Sequence, residues 1–261
     1  MPSVAEDNLV ACFPERSIAG FSRLDLTFLF YSYIHALIGP TSSVLDLGAG
    51  RGAHGGAEIS DYKRRYATLQ GRVGRVVGAD VDPAVLQNPH VDEAVVFDPC
   101  APLPFPDATF DVVLSDWVLE HVEDPASFAR EVERVLKPGG WFCARTPNRF
   151  GIVAMGATLI PNSLHSKAIS ILQPGRSEVD VFPTRYRLNT ESAIRRYFPE
   201  GRWRNCSFTH SAEIMYFARS RALLRITSWI GGVVPAALRP FLLVFVQKRP
   251  TAAPDTARTP R

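Results

Sequence analysis

Apolar and polar positions along the chain fall into short blocks that change period. Over residues 17–38, Phe21, Leu24, Phe28, Tyr31, Ile34 and Ile38 recur at spacings of three and four, which predicts one face of a helix stopped by Gly39 and Pro40. The period then changes. Ser43-Val-Leu-Asp46 is an apolar run that ends in an acid and meets glycines at once, which reads as a buried parallel strand entering a tight turn. Arg75-Val-Val-Gly-Ala-Asp80 and Glu93-Ala-Val-Val-Phe-Asp98 repeat that form, and Phe110-Asp-Val-Val-Leu-Ser115 predicts a fourth strand.

A helix follows over residues 124–136. Asp124 can cap it, Pro125 suits its first turn, and Phe128, Val132, Val135 and Leu136 make its apolar face. Lys137-Pro-Gly-Gly140 ends it before a fifth strand over residues 141–145. Strands alternating with helices imply a parallel sheet covered on both faces. Residues 150–190 lose the alternation and read as an insertion over the carboxyl ends of the strands, where open α/β sheets place ligands. Helices over residues 191–197 and 218–230 and a final strand over residues 241–246 complete the pattern, and the tail at 250–261 reads as disordered.

Composition narrows the class. At 261 residues, 46% hydrophobic and 21% charged, the chain is an ordinary globular one, and a formal charge of +3 does not demand a polyanionic partner; no nucleic-acid partner is expected. Arginines crowd the last third, which favours an anionic substrate or headgroup or simply a solvated face. The four cysteines, Cys12, Cys100, Cys143 and Cys206, form no close pair, so a reducing cytoplasm is expected, with no structural or catalytic metal. The residues before Asn8 lack the basic and apolar blocks of a signal peptide. The apolar stretch at 226–246 is divided by Gly231, Gly232, Pro235, Arg239 and Pro240, so a membrane span is not expected.

The chemistry concentrates in Asp46-Leu-Gly48-Ala49-Gly50-Arg-Gly52. Glycines here let the backbone turn sharply and approach a ligand. Gly48, Gly50 and Ala53 also satisfy a dinucleotide fingerprint, so an NAD-type oxidoreductase is a rival reading. Asp46, however, would repel a pyrophosphate and attract an ammonium. Asp80 can accept from both hydroxyls of a ribose, with Asp82 as a nearby alternative, and Asp98 can accept from the exocyclic amine of adenine.

Taken together, Val44-Leu-Asp-Leu-Gly-Ala-Gly-Arg-Gly52, Val77-Gly-Ala-Asp-Val-Asp82, Leu103-Pro-Phe-Pro-Asp-Ala-Thr-Phe-Asp111, Val118-Leu-Glu-His-Val122 and Val135-Leu-Lys-Pro-Gly-Gly140 resemble the class I S-adenosylmethionine-dependent methyltransferases. The likeness is to the small-molecule type 11 group that includes the ubiquinone and menaquinone enzymes. It implies a Rossmann-like three-layer α/β sandwich at residues 41–249, preceded by a helical segment at 1–40. Its sheet would have seven strands, mostly parallel, with an antiparallel last strand.

The resemblance further implies S-adenosyl-L-methionine as cofactor, held by Asp46, Gly48, Ala49, Gly50, Gly52, Asp80, Val81, Asp98 and Ser115. Asp116 and His121 become the candidate bases, and Trp117, His54, Arg185 and Tyr186 the candidate substrate contacts. Arg145-Thr-Pro-Asn148 and the cluster from Glu178 to Thr190 resemble weakly the methyltransferases of polysaccharide and glycolipid assembly, which points to a small, sugar or lipid-linked acceptor methylated at oxygen. A cofactor-binding scaffold without catalysis is the non-enzymatic rival. Leu223, Leu224, Ile226, Trp229 and Ile230 against Arg219, Arg221 and Arg225 suit either core packing or a helix lying on a membrane surface, so the expected location is the cytoplasm with a peripheral membrane contact open.

Overall fold

The computed structural model describes residues 3–52, 60–151, 183–213 and 217–250. Helices α1 (Val4–Cys12), α2 (Arg16–Ala19) and α3 (Leu26–Leu37) precede β1 (Ser43–Leu47), α4 (Asp61–Ala67), β2 (Arg75–Asp80), a 3-10 turn (Pro83–Gln87), β3 (Glu93–Val96) and β4 (Phe110–Asp116). Then come α5 (Pro125–Val135), β5 (Leu136–Pro147), α6 (Glu191–Tyr197), β6 (Trp203–Asn205), β7 (Phe208–His210), α7 (Arg221–Val233) and β8 (Phe241–Lys248).

The strands form one sheet in the order β3-β2-β1-β4-β5-β8-β6, with β7 also on β8. From β3 to β5 all pairs are parallel, and β8 runs antiparallel to β5. The antiparallel last strand is as expected, yet it is not the edge. Strands β6 and β7 pair with the outer side of β8 in one continuous register, interrupted at Cys206 and Ser207, so the sheet has seven strands or eight according to whether they are counted together.

Neighbouring residues on each strand are buried on opposite faces. Leu45, Val113 and Phe142 join Val132 of α5 and Ile194 of α6 in one core, while Val44, Val112, Cys143 and Phe245 join Phe30 and Ile34 of α3 in the other. That double burial is why these strands are apolar without alternation. The Rossmann-like three-layer sandwich follows.

The amino-terminal helix differs from expectation. Residues 17–38 are not one helix: Gly20, at φ +79°, ends α2, and the Asp25 side chain accepts from the Thr27 amide to start α3. Phe21 still belongs to the apolar face because it folds back onto Phe28, with ring centroids 3.9 Å apart. Strand β3 also stops at Val96, short of Asp98. Most of the expected insertion, residues 152–182, and the tail at 251–261 lie outside the described residues.

Candidate active site

A cleft of about 1540 Å³ opens at the carboxyl ends of β1, β2 and β4, where Asp46, Asp80 and Asp116 stand. Typical small-molecule pockets occupy about 300–1,000 Å³, so the cleft can hold a nucleoside-sized ligand beside a second molecule.

Its floor is the turn after β1. The amides of Gly48 and Ala49 donate to the Ala79 carbonyl at 2.7 and 3.2 Å, which curls the loop onto the end of β2. Gly48 has φ +90° and a Cβ there would run into Val118, so both conformation and space demand glycine. Asn88 fixes the other side, donating from Nδ2 to the carbonyls of Ala49 and Gly50 at 3.1 and 3.3 Å.

Asp80 is buried, and its two carboxylate oxygens accept from the Gly50 amide at 2.8 Å and the Asp82 amide at 2.9 Å. Asp82 itself caps the following 3-10 turn through the Ala84 amide. Asp80 is thus the acid bonded to the glycine turn, while Asp82 also lines the cleft. Asp46 accepts no hydrogen bond among the described residues, and its carboxyl is pushed up to about 7, first by burial and then by the negative charges of Asp116 and Asp80. A cation placed beside it would reverse both effects.

Asp116 and Arg145 form a bidentate pair, with Nε to Oδ1 at 2.5 Å and Nη2 to Oδ2 at 2.9 Å. The guanidinium lies over the rings of Phe30, Tyr31 and Trp117 and donates to Thr27 Oγ1 at 3.0 Å. As a candidate base, Asp116 therefore has both oxygens engaged. Trp117 turns the chain at φ +60° and meets Phe241 edge to face, and both line the cleft.

His121 also lines the cleft, and its Nδ1 lies 3.2 Å from the Pro183 carbonyl. Glu120 is buried beside it and accepts from the Thr146 hydroxyl at 2.8 Å, with burial pushing its carboxyl up. The Glu120 carbonyl receives the amides of Arg185 and Tyr186, so the segment after residue 182 is laced to the turn after β4.

Of the residues expected from sequence, Asp46, Gly48, Ala49, Gly50, Asp80, Val81, Asp116, Trp117, His121 and Arg185 meet in the cleft. Ser115 does not reach it, since its hydroxyl donates to the Leu47 carbonyl inside the sheet at 2.9 Å. Gly52 packs under the loop against Asn88, Asp98 turns to the Cys100 amide between cleft residues Phe97 and Pro99, and Tyr186 lies outside the lining. His54 lies outside the described residues.

Sequence reasoning missed one wall. Lys63 and Asp25 pair at 2.5 Å, and Glu213 binds Arg16 at 3.1 Å and the Ser22 hydroxyl at 2.7 Å. Asp25, Lys63 and Glu213 all line the cleft. Asp25 carried one usable signal, a capping acid directly before an apolar helix.

Known proteins resemble this chain over the stretch that carries Asp46, Asp80 and Asp116. Residues 45–144 match the family described as a methyltransferase domain. Over 143 residues the chain is 35% identical to a protein of Mycolicibacterium smegmatis named a probable S-adenosylmethionine-dependent methyltransferase, covering 52% of this chain and 51% of that one. Over 108 residues it is 35% identical to a ubiquinone/menaquinone biosynthesis C-methyltransferase of Hahella chejuensis, covering 38% and 40%. The chain thus spans about half the length of the curated relatives it matches, 51% and 40% for these two. Among solved structures, the protein in complex with the Trm112 methyltransferase activator of Haloferax volcanii shares the fold at a TM-score of 0.53 and 19% identity, over 86% of this chain and 91% of that one.

Proposed function

We propose that this chain, which carries a methyltransferase domain over residues 45–144, binds S-adenosylmethionine in the cleft and methylates a small, sugar or lipid-linked acceptor at oxygen. The observation that carries the reading is the pair of carboxylates at neighbouring strand ends. Asp46 accepts no hydrogen bond among the described residues, and Asp80 is held against the Gly50 amide.

The residues fit that cofactor. Asp46 suits the ammonium of its methionyl end, Gly48 leaves the backbone bare beside it, and Asp80 retains lone pairs for the ribose hydroxyls. Val81 and Phe97 offer apolar surface to adenine, with Asp98 proposed for its amine. When bound, the cofactor supplies a methyl carbon already activated by the sulfonium, so the protein mainly has to align the acceptor.

Alignment falls to the part of the cleft lined by the turn after β4 and the start of β8. Trp117 and Phe241 present aromatic surface, and the Arg145–Asp116 pair sets the strained turn that aims Trp117. A carbonyl can only accept, so the Pro183 contact makes Nδ1 of His121 the donor, and Nε2 is the ring atom proposed to take a proton from an acceptor hydroxyl. Arg185 at the rim suits an anionic group on the acceptor.

The test is calorimetric titration with S-adenosylhomocysteine, for the intact chain and for Asp80→Ala. Micromolar binding lost in the variant is expected, followed by label transfer from radioactive cofactor into a product whose bond to the methyl carbon is read by mass spectrometry. Binding of NADH in place of S-adenosylhomocysteine would turn the reading to a dehydrogenase. A carbon-methylated product would keep the enzyme and discard the oxygen acceptor.

A further inference from the structure

We infer that α7 docks the protein on a lipid surface bearing anionic headgroups, beside the mouth of the cleft. Among the described residues the helix is held by one side only. Leu224 is fully buried with Leu9 and Phe13, so α7 packs on α1. The other side carries Leu223, Ile226, Trp229 and Val233, which recur at spacings of three and four and are 44%, 52%, 70% and 63% exposed. One or two exposed apolar side chains are ordinary; four aligned on a single helix face form a patch.

The charge on the helix itself and on the chain that flanks it is of one sign, although α1 beside it carries Glu6 and Asp7. Arg219, Arg221 and Arg225 are exposed, and none has an ion pair among the described residues. From residue 214 to residue 254 the sequence contains no Asp or Glu. A protein partner would have to offer an acidic, apolar groove, whereas an anionic bilayer supplies both features without a shaped complement. Trp229, the most exposed aromatic ring among the described residues, combines an apolar body with an N–H, which suits the headgroup boundary.

The length fixes the mode. Thirteen residues reach about 20 Å, short of the roughly 30 Å hydrocarbon layer, and no helix among the described residues is long and apolar enough to cross a membrane. The helix therefore lies in the interface. Its position ties it to the cleft: Gly231 abuts Ser211, the next residues Ala212 and Glu213 line the cleft, and the chain leaving α7 enters β8 at Phe241, which also lines it. An acceptor embedded in the same leaflet would need to travel only along the protein surface. The docking itself does not depend on the identity of the acceptor.

Vesicle cosedimentation tests it, with phosphatidylcholine alone and with phosphatidylcholine mixed with phosphatidylglycerol. The intact chain should prefer the anionic vesicles by about tenfold or more, and lose that preference as salt rises. Ile226→Ser with Trp229→Ser should abolish binding, and Arg221→Gln with Arg225→Gln should weaken it several-fold, both with unchanged thermal melting because all four side chains are exposed. Failure to bind either vesicle, equal binding to both, or retained binding by the apolar-face variant would overturn the inference. So would light scattering that shows a dimer dissolved by Ile226→Ser with Trp229→Ser, which would assign the patch to a second copy of the chain.

Discussion

Asp116 and Arg145 face each other across β4 and β5 in register, and their side chains close a two-bond ion pair with exposures of 10% and 7%. The guanidinium also ties α3 to the sheet through Thr27. Removing one member of such a pair leaves the other charge buried and uncompensated, which costs about 3–5 kcal/mol. Arg145→Met should therefore lower stability in urea by about that amount, and pairing it with Asp116→Asn should restore part of the loss. Equal losses for the single and double variants would mean that the pair contributes only its packing.

The glycine turn offers a controlled comparison. Gly48 and Gly139 both have positive φ, +90° and +83°, but a Cβ on Gly48 would strike Val118 whereas nothing lies within 4 Å of one on Gly139. Each alanine substitution should cost about 1–2 kcal/mol of backbone strain. Gly48→Ala should cost about 1–3 kcal/mol more from overpacking and should abolish binding of S-adenosylhomocysteine, while Gly139→Ala should bind normally. Urea unfolding and calorimetry on the two variants check it.

Much of this was legible in the chain because burial on both faces writes uninterrupted apolar runs, and the acids at their ends, Asp46 and Asp80, mark where strands stop at a ligand cleft. The start of α3 was not. Phe21 keeps the helical spacing by stacking on Phe28 and Tyr62 from outside the helix, so periodicity outlived the helix that normally causes it. Nor could any local pattern report Lys63 with Asp25 or Arg16 with Glu213, since each pair joins charged residues from distant segments. Ser115 and Asp116 are neighbours that the sequence could not separate: the pleat turns the Ser115 hydroxyl to the Leu47 carbonyl inside the sheet and sets Asp116 in the cleft lining.

Asp46 should give the chain opposite pH responses in stability and in binding. Its carboxyl is raised from 3.8 to about 7, so over that range the folded protein holds a proton that the unfolded chain has released. Stability should fall as pH rises through that window, and Asp46→Asn should flatten the slope. Ammonium binding needs the ionised form, so affinity for S-adenosylhomocysteine should instead rise, by about tenfold between about pH 6 and about pH 8. Parallel pH dependence of affinity in Asp46→Asn would assign the effect to another group.

Arg16 and Glu213 are both only 7% exposed, and they join the amino-terminal helices to the strand end beside the cleft. Arg16 also reaches Glu6 at 3.0 Å, so one guanidinium holds two carboxylates. Burial already raises the Glu213 carboxyl, against the lowering effects of the Ser22 hydroxyl and Arg16. With Arg16→Met the main opposing charge is gone, the carboxyl rises further, and the folded state keeps a proton over a wider range. The variant should therefore lose about 3–5 kcal/mol at neutral pH and recover part of it near about pH 5, a dependence steeper than that of the intact chain. Adding Glu213→Gln should remove the extra slope, since glutamine has no proton to exchange while it can still accept from Ser22. Urea unfolding of the two variants across pH separates this from simple loss of packing, which would lower stability equally at every pH.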